Sequence, residues 1–215
     1  MQDTYVSEGD YWQRQEQIYK RSYITIALLA INVVIFLVCS FAFGWMYEKG
    51  AMVTEVVLRD GEYYRLFTAM FLHADPQHLI NNMMMLVLAG AIVENYTGHA
   101  FYFFLYMLSG FFGNMISMAY EIQYELSWIS VVASGAIMGL VGFVVVCIVV
   151  NRKTFVRSKS LMIRLLLLGV FVIETCFFQK GANTAAHTGG FLTGAVLGVI
   201  NIIMLKNNKN MEGLA

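Results

Sequence analysis

The stretch "SVVASGAIMGLVGFVVVCIVV", residues 130–150, holds no charged side chain. As an α-helix it is long enough to cross a bilayer, whose hydrocarbon core of about 30 Å takes about 20 apolar residues. It also contains Ser134, set among the small residues Ala133, Gly135, Gly139 and Gly142. Such a serine has two readings. Small residues let membrane helices touch, and a serine often serves only that purpose; alternatively the hydroxyl attacks a substrate. The stretch alone does not choose between them.

The whole chain shares its character. Of 215 residues, 59% are hydrophobic and 13% charged, with a mean hydropathy of +0.63. One soluble core cannot hide that much apolar surface, so the expected class is an all-α polytopic membrane protein. The net charge of zero is uninformative, because placement along the chain matters more than the sum, and nucleic acid is not an expected partner. Cys39, Cys147 and Cys176 all fall within apolar runs and form no CxxC pair, which argues against a disulfide framework or zinc site. They are expected to be buried small hydrophobes.

Six apolar runs have the length or composition of spans: Ser22 to Trp45, His78 to Val93, Phe101 to Tyr120, Ile129 to Val150, Leu161 to Phe178 and Ala185 to Leu205. The expected division is a cytoplasmic tail over 1–21, a six-helix membrane domain over 22–205 with an outer loop over 46–77, and a cytoplasmic tail over 206–215. The first run is too long, and too deep behind a mixed-charge tail, for a cleaved signal peptide. The second is short, which suits a helix inside the bundle. Orientation follows from the basic residues. With both ends in the cytoplasm, the inner segments collect Arg14, Lys20, Arg21, Arg152, Lys153, Arg157, Lys159, Arg164, Lys206 and Lys209, while the outer ones keep Lys49, Arg59, Arg65 and Lys180. The loop "NRKTFVRSKS", 151–160, carries most of this bias. Glu121 and Glu125 are then expected in an acidic outer loop.

This topology places three groups of polar residues at similar depth near the outer face. Ser134 lies roughly 24 Å above Val150 at 1.5 Å per residue; His187 begins the sixth run, and His78 with Asn82 begins the second. Each has a bland reading, as an interfacial histidine, an interhelical amide or a polar helix start. Yet His187 shares a helical face with Gly190 and Gly194, so its helix can come close to the one bearing Ser134. Imidazole can take the proton of a serine hydroxyl, and attack on an amide needs donors ready for the developing oxyanion. His78, Asn82 and the backbone N–H of Ser134 could supply them. No Asp or Glu lies in an apolar stretch beside His187, which points to a Ser134–His187 dyad. No metal or cofactor is implied. Glu94 is expected to cap or pack, and Glu174 to line an access route or snorkel to the interface.

Four elements in order, "GEYYRLFTAMFLHADPQHLINNMMML" (61–86, two elements), "ASGAIMGL" (133–140) and "AAHTGGFLTGAVLG" (185–198), resemble the rhomboid family of intramembrane serine proteases. Arg65 matches the family's tryptophan-arginine element, with Tyr64 in place of tryptophan. "HLINN" matches the H-x-x-x-N element at His78 and Asn82; "ASGA" matches the nucleophile element at Ser134, and "AHTGG" the base element at His187. The resemblance implies a six-helix rhomboid bundle acting as a serine endopeptidase. Its implied substrates are single-span membrane proteins, cut in or near their transmembrane segment after lateral access between the second and fifth spans. One departure is Val132, where the family's G-x-S-G pattern has glycine; there valine is expected to crowd the nucleophile. The rival reading is a catalytically silent rhomboid-like protein that binds transmembrane helices. A transporter would place its polar site near the midplane and show repeated halves, and a metalloprotease would need an H-E-x-x-H frame; neither is present. A six-span core with short tails suggests a bacterial inner (cell) membrane protein whose site opens to the outside.

Overall fold

The computed structural model describes residues 8–150, 152, 159–179 and 181–207. In chain order the elements are α1 (Glu8–Lys20), α2 (Tyr23–Phe41), α3 (Gly44–Gly50), β1 (Met52–Val53), α4 (Thr54–Asp60), α5 (Arg65–Thr68), α6 (Pro76–Thr97), α7 (His99–Gln123), β2 (Ile129–Ser130), α8 (Ala133–Val150), α9 (Lys159–Ile173) and α10 (Thr184–Met204). Among the described residues, α2, α6, α7, α8 and α10 are long and apolar enough to cross a membrane, where six spans were expected. The fifth apolar run is helical too, as α9 and a wider π turn over Glu174–Phe178. Most of the basic loop 151–160, Lys180 and the ends 1–7 and 208–215 lie outside the described residues.

The helix ends follow local chemistry. Asp75 caps α6 by accepting the His78 N–H at 2.8 Å, with Pro76 filling the first turn, where no N–H is needed. Gly98, at φ 86°, divides α6 from α7. The second span is therefore longer than the run His78 to Val93 suggested, because capping begins it two residues earlier and Gly98 ends it.

α8 is the axis of the bundle. Every side chain from Ala133 to Val144 is buried, which explains why its sequence is apolar all round rather than on one stripe. α10 packs against it at nearly backbone contact: a Cβ on Gly190 would lie 1.9 Å from the Gly135 carbonyl oxygen, and one on Gly194 would lie 1.8 Å from that of Gly139. No side chain fits there, so these glycines set the helix spacing. α7 closes the trio, with Gly113 facing the Ala186 carbonyl and Ser109 against Gly139. By contrast, only Thr25, Leu28 and Asn32 of α2 are buried, which suits a helix at the periphery facing lipid.

Residues 44–71, most of them in the stretch 46–77 expected as an outer loop, form a folded cover. β1 pairs antiparallel with β2, Met52 opposite Ser130 and Val53 opposite Ile129, which pins this cover to the strand leading into α8. Met52, Val57, Leu66 and Ala69 bury together against Phe111 and Met118 of α7. Arg65 is drawn inward as a clamp, donating to the carbonyls of Glu48 (2.8 Å) and Ala51 (2.7 Å) and pairing with Glu62 at 2.6 Å. Tyr64 stays half exposed with its hydroxyl donating to Glu62 at 3.0 Å.

At the opposite end, Glu94 caps a helix other than its own. Its carboxylate accepts the N–H groups of Ile24 (2.9 Å) and Thr25 (2.8 Å) and the Thr25 hydroxyl (2.7 Å), and it also meets His99 Nδ1 at 2.6 Å. These N–H groups belong to the first turn of α2, where no helical acceptor exists and negative charge is favoured. Glu94→Ala is expected to cost about 3 kcal/mol, since it strands buried donors. Glu94→Gln keeps one acceptor and should cost less. Denaturant titration in detergent micelles measures both, and equal stability of all three proteins would refute the capping role.

Candidate catalytic site

Ser134 occupies the first turn of α8 and His187 the first turn of α10, both buried. The glycine contact between these helices brings Ser134 Oγ to 2.7 Å from His187 Nε2. The N-terminus of α10 is secured by Asn183. Its Oδ1 accepts the Ala186 N–H at 3.0 Å, and its Nδ2 donates to Ser117 (2.6 Å) and Ser130 (3.1 Å). One side chain thus ties α10 to α7 and to β2. Sequence reasoning passed over Asn183, although an Asn just before an apolar helix is a capping signal.

A cleft of about 400 Å³ reaches Ser134 and His187, and His78 is on its wall. Its other walls come from connecting segments: Tyr47 of the cover, Trp128 to Val131 around β2, and Gln179 with Gly181 to Asn183 before α10. Val131 lines it, whereas Val132 is buried, with its N–H bonded to the Ala69 carbonyl at 3.0 Å. Val132 is thus off the cleft wall, with its side chain beside Gly135, 3.5 Å from where a Cβ on that glycine would lie.

Asn82 lies one turn beyond His78 on α6, fully buried and not on the cleft wall. Neither polar atom of its amide has a hydrogen-bond partner among the described residues. An unpartnered buried amide is costly, so its presence calls for a use.

His73, which the sequence reading left without a role, packs edge-on against His78 with ring centroids 5.2 Å apart. Burial first, and the adjacent His78 second, hold its pKa down from 6.5 to about 3. It is neutral throughout the working range. The unfolded chain binds a proton between those values that the folded chain does not, so this contribution to stability is full above about pH 6.5 and is lost as pH falls through about 3. By pH 5 the loss is about 2 kcal/mol. Thermal unfolding in micelles should come at lower temperature at pH 5 than at pH 7, and His73→Leu should shrink that difference. An unchanged difference would count against it.

Two other expectations change, for Glu121 and for the cysteines, and Glu174 gains a partner. Glu121 is fully buried in the last turn of α7, where it accepts from Thr54 Oγ1 at 2.7 Å and Ser117 Oγ at 3.3 Å. The cover folds over this end of α7, so the side chain is not in an open acidic loop. Glu174 accepts from Asn81 Nδ2 and links the wide turn after α9 to α6. Among the cysteines, Cys147 is buried, but Cys39 and Cys176 are partly exposed, and Cys176 Sγ lies 3.7 Å from His187 Nδ1.

The chain resembles known proteins over most of its length. Residues 60–203 match the Rhomboid domain family. YdcA of Bacillus subtilis (strain 168) is 30% identical over 176 residues, covering 77% of this chain and 86% of that protein. RHOMBOID-like protein 1 of Arabidopsis thaliana is 31% identical over 156 residues, 73% of this chain and 39% of the relative. Rhomboid protease GluP of Bacillus subtilis is 29% identical over 146 residues, 66% of this chain and 28% of GluP. The chain thus spans half or less of the length of the plant relatives it matches.

Proposed function

Since the chain belongs to the rhomboid family of intramembrane proteases, we propose that it is a serine endopeptidase using a Ser134–His187 dyad on single-span membrane proteins. The observation that carries this reading is the 2.7 Å contact between Ser134 Oγ and His187 Nε2 at the foot of a cleft. In the first step His187 Nε2 takes the Ser134 proton while Oγ attacks the scissile carbonyl carbon. The oxyanion is met by the Ser134 N–H, in a helix first turn where no intrahelical acceptor exists, and by His78 and Asn82. Collapse breaks the C–N bond as His187 returns the proton to the leaving amine; water, activated by the same imidazole, then hydrolyses the acyl ester. The unpartnered amide of Asn82 supports this assignment, because a donor waiting for a transient anion has no partner in the resting protein.

The substrate must present an unwound segment, because helical peptide bonds are already hydrogen-bonded and shielded. The seam between α6 and the wide turn after α9, bridged by Asn81 and Glu174, is the proposed access route. The proposed setting is a bacterial inner membrane, with both chain ends cytoplasmic and the cleft facing outward, as the basic residues favour. A fluorophosphonate probe on the purified protein tests the reading. Labelling that disappears in Ser134→Ala supports an activated nucleophile; no labelling of a folded, lipid-reconstituted protein would favour a silent helix-binding relative.

A further inference from the structure

A histidine that accepts a serine proton at Nε2 must carry its own proton on Nδ1, and what meets Nδ1 decides how firmly that tautomer is held. With Ser134 at Nε2, the partner of His187 Nδ1 among the described residues is Cys176 Sγ, at 3.7 Å. A second observation shows that this thiol is placed by the fold. Cys176 lies within the wide turn Glu174–Phe178, a helical irregularity that redirects side chains and recurs at functional sites. Its two preceding neighbours are both anchored on α6, Glu174 to Asn81 and Thr175 Oγ1 to Met85 Sδ at 3.7 Å. Three consecutive residues of the turn thus reach inward, two to the helix bearing His78 and Asn82 and the third to the base.

We propose that the Cys176 thiol accepts the Nδ1–H of His187 and acts as a positioning residue, holding the imidazole in the tautomer and orientation that can take the Ser134 proton. The role fills the place of the carboxylate in a three-member triad, with a neutral sulfur acceptor suited to a low-dielectric site where a charged one would be costly. It rests on the Ser134–His187 reading, and it makes the turn after α9 part of the catalytic support as well as of the access route.

The test uses the full-length protein in micelles, with 15N-labelled histidine. There are four histidines, and the His187 signals are assigned by their loss in His187→Ala. The wild type should show Nδ1–H as the dominant tautomer, and Cys176→Ala should show a mixture. Cys176→Ser, which keeps an acceptor, should restore the wild-type pattern. On a single-span reporter, kcat should fall roughly 10-fold in the alanine variant with KM unchanged, and should recover to within about threefold in the serine variant. An unchanged tautomer in a folded Cys176→Ala would overturn the proposal. So would a serine variant as impaired as the alanine one, or a loss expressed only in KM. If the wild type cuts nothing, the dyad reading fails on that result, while the tautomer spectra still decide the role of Cys176.

Discussion

Cleavage of a single-span reporter should disappear in both Ser134→Ala and His187→Ala, with a loss of at least about 10⁴-fold, and the double variant should be no worse than either single one. Non-additivity is the informative part. If the two side chains act in one proton transfer, removing either removes the step, and the second change has nothing left to remove. The 2.7 Å contact between Oγ and Nε2 is the geometry that such coupling requires. Both residues sit in helix first turns, where the backbone is held by the Gly135–Gly190 contact and the Asn183 cap and not by the catalytic side chains. Truncation to alanine should therefore leave the bundle folded, which unchanged thermal unfolding would verify. Substantial turnover in Ser134→Ala, or losses that multiply in the double variant, would sink the mechanism.

The second large effect concerns the oxyanion donors. His78→Ala and Asn82→Ala should each lower kcat by roughly 10- to 1,000-fold, the range for one lost donor. Asn82 allows a sharper contrast. Its amide is fully buried and has no partner among the described residues, so it brings a desolvation penalty to the resting fold. Leucine has nearly the same size and no polar atoms, so Asn82→Leu should leave stability unchanged or raise it by about 1 kcal/mol while kcat falls. Opposite movement of stability and rate marks a group retained for the transition state. A helix-bridging amide predicts the reverse, with lower stability and unchanged kcat, and that outcome would remove Asn82 from the site.

Much of the site was legible in the sequence because its residues are few and locally patterned. Ser134 among small residues, His187 ahead of Gly190 and Gly194, and His78 one turn before Asn82 are short-range arrangements, and helical periodicity puts the second and third sets each on one face. The glycine contacts followed from the same reasoning, since only small residues let two helix backbones touch. Cys176 and Asn183 were missed for opposite reasons. Asn183 carried a local capping signal that went unused. Cys176 carried none, because eleven residues and a helix irregularity separate it from the ring it meets.

The sequence by itself determined the solvent, the approximate spans and the candidate polar residues of each helix, because these depend on transfer free energy and on spacings within single helices. Tertiary structure alone decided how long-range polar groups are used. Glu94 looks like an end-of-span carboxylate until α2 is seen to present its unbonded N–H groups there. Glu121 looks like part of a solvent loop until the cover of residues 44–71 folds over α7 and β1 joins β2. Val132 looks like a wall residue beside the nucleophile, yet Val131 lines the cleft while the Val132 N–H is bonded to the Ala69 carbonyl. In each case the deciding partner is tens of residues away, and no periodicity carries that information. A buried polar group takes its meaning from whatever chain segment satisfies it, and only the assembled fold says which one that is.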